Sequence, residues 1–193
     1  MATLTVFTPA YNRAHTLPRT YESLQKQSCK DFVWLIVDDG SKDQTAKLVK
    51  EWQQQEKTFE IRYIYKENGG MHTAHNVAYE NIDTELNVCI DSDDCMADGA
   101  VKKIIDTWEN YAGLIGLDAD FKGNIIGKGF PEHLKETTLG DYYAAGGQGD
   151  KKLVYRTDVI NSVPPYPVFE GEKYVGLVYK YTLVDQKYKL FVM

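Results

Sequence analysis

The feature that most constrains this chain is a repeated alternation from Leu4 to Leu117, in which a short apolar run stops at a polar turn and gives way to a helical pattern. Leu4–Phe7 is apolar and is cut off by Pro9; Leu17, Tyr21 and Leu24 then recur at helical spacing, with Thr16 placed as N-cap and Pro18 in the first turn. Phe32–Val37 is continuous and apolar, as a strand covered on both faces should be, and a helical pattern at Thr45, Leu48, Val49 and Trp52 follows. Ile61–Tyr65 with Ala74, Ala78 and Ile82 behind it, then Leu86–Ile90 with Val101, Ile104, Ile105 and Trp108, repeat the unit, and Leu114–Leu117 supplies a fifth strand. Such alternation predicts an α/β fold of Rossmann-like type, with a mostly parallel sheet and helices on both faces.

After Asp118 the pattern dissolves among glycines and prolines, so the reading divides the chain into a ligand-binding half over 1–118 and a smaller mixed C-terminal region over 119–193. Within the latter, Val154–Arg156 and Lys189–Val192 look like strands and Asp158–Val163 like a short helix. The last residues form a strand-like apolar run with no tail, which suggests a truncated C-terminus.

In an open parallel sheet, ligands bind outside the carboxyl ends of the strands. Here those ends read Thr8-Pro9-Ala10-Tyr11-Asn12-Arg13, Asp38-Asp39-Gly40-Ser41, Glu67-Asn68-Gly69-Gly70 and Asp91-Ser92-Asp93-Asp94. Two of the four are acidic, and carboxylates crowded on one edge repel each other unless a positive group sits among them. A hard divalent cation, Mn²⁺ or Mg²⁺, is the simplest such group, because it takes carboxylate and phosphate oxygens together. In an extended segment Asp91 and Asp93 project to the same side, so one can reach a ribose hydroxyl or a metal-bound water while the other ligates. Each motif also has a plain structural reading. Asp94 or Asp98 can cap the helix that follows them, Ser41 or Asp43 can cap the helix that begins near Thr45, and Asn68-Gly69-Gly70 can be a turn rather than a phosphate site at a helix N-terminus.

Composition removes several function classes. The net charge of −6 argues against nucleic acid as a partner. Three cysteines, Cys29, Cys89 and Cys95, form neither a disulfide framework nor a CxxC site, as expected in a reducing compartment. Residues Met1–Phe7 do not read as a signal peptide, and no apolar run reaches the length of a membrane span, so the chain is expected in the cytoplasm, free to touch the inner face of the membrane peripherally. His72 and His75 lack the further ligands of a zinc site, and neither a GxGxxG after the first strand nor a GxxxxGK[ST] is present.

Taken in order, the four strand-end motifs resemble those of family 2 glycosyltransferases of the GT-A fold, bacterial type, over roughly Leu4 to Trp108. The resemblance implies an inverting, metal-dependent transferase acting on a nucleotide-sugar, a UDP-sugar in the first place, with a saccharide or lipid-linked acceptor in cell-surface polysaccharide or glycoconjugate synthesis. It implies that Thr8, Pro9 and Tyr11 line the base pocket with Arg13 near the phosphates, that Asp39 binds the base, and that Asp91 reaches the ribose. Asn68, Gly69, Gly70 and Ser92 complete the donor site; Asp93 ligates the metal, supported by Asp94. The acidic segment Phe169-Glu170-Gly171-Glu172-Lys173-Tyr174 resembles the place where such enzymes carry the general base, which points first to Glu172, then to Glu170, and more distantly to Asp185. The sequence departs from the family at His75, where arginine is frequent, and carries no QxxRW motif. Two other readings stay open: a metal-dependent nucleotidyltransferase, disfavoured by the few Lys or Arg at the strand ends, and a non-catalytic nucleotide-sugar-binding domain.

Overall fold

Strand β1 (Leu4–Ala10) and strand β2 (Phe32–Asp38) are buried along their whole length, and their side chains divide cleanly between two cores. Leu4 and Val6 with Phe32, Trp34 and Ile36 face one side; Phe7 with Leu35 and Val37 faces the other. The period of two along a pleated strand makes this division, and it is why the sequence reads as continuous apolar runs. The computed structural model describes residues 2–108 and 111–193; Met1 therefore lies outside the described residues.

The remaining strands are β3 (Glu60–Tyr65), β4 (Leu86–Cys89), β5 (Gly113–Leu117), β6 (Glu136–Thr137), β7 (Lys151–Arg156) and β8 (Leu190–Val192). All eight form one sheet in the order β3-β2-β1-β4-β7-β5-β8-β6. β1 runs parallel to β2 and β4, and β2 to β3. β7 is antiparallel to both β4 and β5, which it separates; β8 is parallel to β5, and β6 antiparallel to β8. Six strands thus share one direction, and β6 and β7 are reversed.

Helices α1 (Leu17–Gln25), α2 (Thr45–Gln55) and α4 (Ala100–Thr107) cover the first core through Leu17, Tyr21, Leu24, Val49, Trp52, Val101 and Ile104. Its centre is aromatic: the Tyr21 ring stacks on Trp52 at 4.5 Å and on Trp34 at 5.9 Å between centroids. Such large buried rings contribute most per residue, and truncating Trp34 to alanine costs about 3–5 kcal/mol. Helices α3 (Met71–Asn81), α6 (Thr157–Asn161) and α7 (Val178–Asp185) cover the second core through Ala74, Ala78, Val159, Ile160 and Val184. The α/β fold with helices on both faces of a mostly parallel sheet agrees with the sequence pattern.

Local details differ from expectation. Thr16 occupies the N-cap of α1, but its hydroxyl donates back to the Arg13 carbonyl and makes no side-chain cap bond. α4 starts after Gly99, in the left-handed region at φ 72, so neither Asp94 nor Asp98 caps it. Gln44 stands at the N-cap of α2, and Asp43 accepts the Thr45 N–H at 3.0 Å. β6, α5 (Leu139–Ala144) and α7 were not foreseen.

Candidate active site

The loops after the first four strands meet at the carboxyl edge of the sheet, and hydrogen bonds join them. Asn12, left-handed at φ 55, donates its N–H to Ser41 Oγ at 2.8 Å and accepts the Lys42 N–H on Oδ1 at 2.8 Å. The Arg13 N–H donates to Thr45 Oγ1 and the Ala14 N–H to Asp43 Oδ2, both at 3.1 Å. The loop after β1 is thereby fastened to the turn after β2, leaving Tyr11 at 45% exposure and Arg13 half-buried. Thr8 and Pro9 are buried in β1 itself, and Thr8 Oγ1 accepts the Trp34 indole N–H at 3.0 Å.

The turn after β2 is internally saturated. Asp38 is fully buried; its carboxylate accepts the Ser41 N–H at 2.7 Å and the Tyr63 hydroxyl at 2.6 Å. The Tyr63 phenol is raised above the ordinary tyrosine range by burial and by this bond. Asp39, only 4% exposed, accepts on Oδ1 from Lys66 Nζ at 2.5 Å and the Gly69 N–H at 2.9 Å, and on Oδ2 from the Gly70 N–H at 2.9 Å and Asn68 Nδ2 at 3.0 Å. A carboxylate has about four acceptor sites, and all are used. Asp39 therefore organises Asn68-Gly69-Gly70 directly. Gly40, at φ 84, is required because a Cβ there would press on the Asn68 backbone. Gly70, at φ 95, is required because a Cβ would collide with the Lys173 carbonyl oxygen.

That contact brings in the C-terminal acidic segment. Lys173 Nζ donates to Asn68 Oδ1 at 2.7 Å, so Glu170–Tyr174 lies across the glycine loop. Glu170 and Glu172 are exposed, and Glu172 Oε1 accepts the Tyr174 N–H at 2.8 Å. Beneath them His72, buried and on the first turn of α3, has no hydrogen-bond partner for either ring nitrogen among the described residues; burial lowers its pKa, against the pull of Asp39 and Glu172. Asp185 is elsewhere: it accepts the Leu139 and Gly140 N–H groups, at 3.3 and 2.8 Å, and so caps α5.

The turn after β4 is open by contrast. Asp93 and Asp94 are exposed, Asp91 is half-buried and Ser92 is buried. Backbone bonds hold the turn: the Asp94 N–H donates to the Asp91 carbonyl at 2.9 Å, Thr20 Oγ1 to the Asp94 carbonyl at 2.8 Å, and the Arg19 guanidinium to the Asp93 carbonyl. The Asp93 carboxylate makes no hydrogen bond among the described residues. Burial raises the Asp91 carboxyl above the ordinary aspartate value, and raises Asp118 likewise. The counter-charge is Lys152 of β7, with Nζ 3.8 Å from Asp94 Oδ2 and 3.8 Å from Asp118 Oδ1. Burial works against its ammonium, yet Asp118, Cys89, Asp91 and Asp94 hold its pKa above the usual lysine value.

The described residues contain no preformed group of three His, Cys, Asp or Glu side chains able to enclose a metal. What they offer is an exposed carboxylate without a protein partner, Asp93, beside a second one. Hard oxygen donors of this kind fit a Mg²⁺- or Mn²⁺-type ion whose other positions a phosphorylated ligand fills. The cavities of about 380 and 420 Å³ lie away from this edge, one at the amino ends of β2 and β3, the other under α5. Lys66 and Lys152 were missed by sequence reasoning. Lys66 follows β3 directly and could have been found as a strand-end cation; Lys152 carries no signal in chain order.

Residues 5–148 match the family model described as Glycosyl transferase family 2. The chain belongs to this family. Among curated relatives, the teichoic acid poly(glycerol phosphate) polymerase of Staphylococcus epidermidis is 34% identical over 60% of this chain and 16% of its own length. The GalNAc(5)-diNAcBac-PP-undecaprenol beta-1,3-glucosyltransferase of Campylobacter jejuni is 25% identical over 84% of this chain and 54% of its own. The chain thus spans well under two thirds of either relative. Among solved structures, S. aureus TarS 1-349, also solved in complex with UDP-GlcNAc, matches all of this chain and 58% of that one with a TM-score of 0.73 at 21% identity. Mannosyltransferase PcManGT from Pyrobaculum calidifontis, in complex with GDP-Man and Mn²⁺, matches 99% of this chain and 56% of that one with a TM-score of 0.70 at 14% identity. These likenesses establish the GT-A fold. No helix among the described residues is long and apolar enough to cross a membrane.

Proposed function

We propose that this family 2 chain is the donor-binding part of an inverting glycosyltransferase, which moves a sugar from a nucleoside diphosphate sugar, a UDP-sugar first, to an acceptor hydroxyl in cell-surface polysaccharide or glycoconjugate synthesis. The observation that carries the reading is the pairing, on one sheet edge, of a glycine loop locked by Asp39 with an open acidic turn whose Asp93 lacks any protein partner among the described residues. The UDP-GlcNAc complex of TarS and the undecaprenol-linked substrate named for the Campylobacter relative support a nucleotide-sugar donor and a saccharide or lipid-linked acceptor. We place the reaction in the cytoplasm, at the inner face of the membrane where such an acceptor is presented.

In this reading the exposed Tyr11 ring packs against the base and Arg13 faces the diphosphate. Asp91 takes a ribose hydroxyl, beside the buried Ser92. Asp39 holds Asn68, Gly69 and Gly70 at the rim of the base pocket. Because its acceptor sites are full, a direct bond from the base displaces Lys66, its one partner on a long flexible side chain. Asp93, with Asp94 beside it, would hold a divalent ion, Mn²⁺ or Mg²⁺, which would supply positive charge against the charge that builds on the leaving nucleoside diphosphate. Glu172, with Glu170 next to it, stands on the segment that crosses the glycine loop and takes the proton of the acceptor hydroxyl during attack.

The test is turnover of a panel of nucleotide-sugars with Mn²⁺, in wild type and Glu172→Gln. Loss of a general base lowers turnover about 10²–10⁴-fold while UDP binding is unchanged. Near-wild-type turnover in Glu172→Gln moves the base to another residue.

A further inference from the structure

β7 is reversed relative to its neighbours, so its first residues lie beside the last residues of β4 and β5, with Lys151 opposite Leu117 and Lys152 opposite Gly116. A residue roughly 60 positions beyond the acidic turn in sequence therefore reaches the same edge. Its Nζ lies 3.8 Å from carboxylate oxygens of both Asp94 and Asp118, with 28% of its side chain exposed. Asp91 stands one strand-end away and burial leaves it poorly solvated. Neither ion-pair distance is a hydrogen bond, so Lys152 acts here as a point charge among carboxylates rather than as a fixed donor.

We infer that Lys152 is a positioning residue of the donor site: a built-in cation that holds the acidic edge together in the absence of a divalent ion and competes with that ion for the same carboxylates. The inference rests on the proposed metal-assisted donor site, and it sets how readily that site loads. Removing a unit charge from about 6 Å of a divalent ion, screened as in water, tightens the ion's binding roughly tenfold.

The experiment is a melting-temperature titration with Mn²⁺, starting from EDTA-treated protein, on wild type, Lys152→Met, Lys152→Arg and the charge-balanced double variant Lys152→Met with Asp118→Asn. Lys152→Met is expected to melt lower than wild type without metal and to recover at a roughly tenfold lower Mn²⁺ concentration than wild type needs. Lys152→Arg should behave as wild type, and the double variant should regain metal-free stability, which a side chain that merely fills space would not allow. Equal Mn²⁺ midpoints for wild type and Lys152→Met overturn the inference, as does the absence of any Mn²⁺ response in both. A parallel arm with UDP separates the two claims: if UDP with Mn²⁺ raises the wild-type melting temperature while the midpoints are equal, the donor site stands and the role of Lys152 falls.

Discussion

Two acidic turns close neighbouring parts of the same sheet edge, and they are built in opposite ways. At the end of β2, Asp38 and Asp39 are buried and every oxygen of Asp39 is taken by Lys66 or the Asn68-Gly69-Gly70 loop. At the end of β4, Asp93 and Asp94 are exposed; the Arg19 guanidinium bonds only the Asp93 backbone carbonyl, and Lys152 stays 3.8 Å from the Asp94 carboxylate. The sequence writes both as an Asp-rich strand end. The difference teaches that a carboxylate's role is set by who has already answered its lone pairs: a saturated one shapes the protein, an unanswered one is free for a ligand.

The comparison breaks most visibly at Asp39. Asp39→Ala takes the carboxylate from Lys66, which keeps only the Glu67 carbonyl, from the Asn68 amide and from two backbone N–H groups, and should lower stability by about 3–5 kcal/mol, read by urea unfolding. A loss under about 1 kcal/mol would mean that the loop is held by something else. Asp93→Ala should do the reverse: stability within about 0.5 kcal/mol of wild type, as for an exposed side chain without partners among the described residues, but sugar transfer reduced about 100-fold or more. Comparable damage to folding at both sites would erase the distinction.

A smaller effect comes from His75, buried on α3 against β1 and β4. Its ring lies edge-on to Phe7 at 5.1 Å, and Nε2 is 3.8 Å from Cys89 Sγ, which is 3.9 Å from Asp91 Oδ1. Burial, then the charge of His72, pushes its pKa down from 6.5 to about 3. The unfolded chain takes up a proton near 6.5 that the folded one refuses, so stability falls as pH drops below 6.5 and goes on falling toward pH 3. About 2 kcal/mol should be lost by pH 5, and His75→Phe should flatten that part of the profile, measured by thermal unfolding from pH 7 to 5.

The first five strands and four helices were legible because strands covered on both faces leave unbroken apolar runs, and the turns between them break those runs sharply. Of the later elements, the strands at Val154–Arg156 and Lys189–Val192 and the short helix at Asp158–Val163 could be read, but β6, α5 and α7 could not. β6 has two residues and α5 six, too few for either period to show. α7 hides its pattern by burying Lys180, whose Nζ donates to the Val163 and Pro164 carbonyls and whose pKa burial lowers to about 8. The strand was visible only over Val154–Arg156, without Lys151–Leu153, and its insertion between β4 and β5 was not, because that pairing is non-local; Lys152 was therefore invisible as a neighbour of Asp94. The site motifs could be read as a set at the strand ends. That Asp39 is saturated while Asp93 is open could not, since the decisive partners, Lys66 and the glycine N–H groups, are identified only by folded distances.

The central claim is that the open edge beside Asp93 takes a nucleoside diphosphate together with a divalent ion. The direct measurement is the melting temperature of the wild-type chain with UDP, GDP and CDP, each with and without Mn²⁺. The account predicts a rise with UDP that requires Mn²⁺ and disappears in Asp93→Ala, because a ligand that binds the folded state alone stabilises it by mass action. No rise with any nucleotide, with or without the ion, would contradict it.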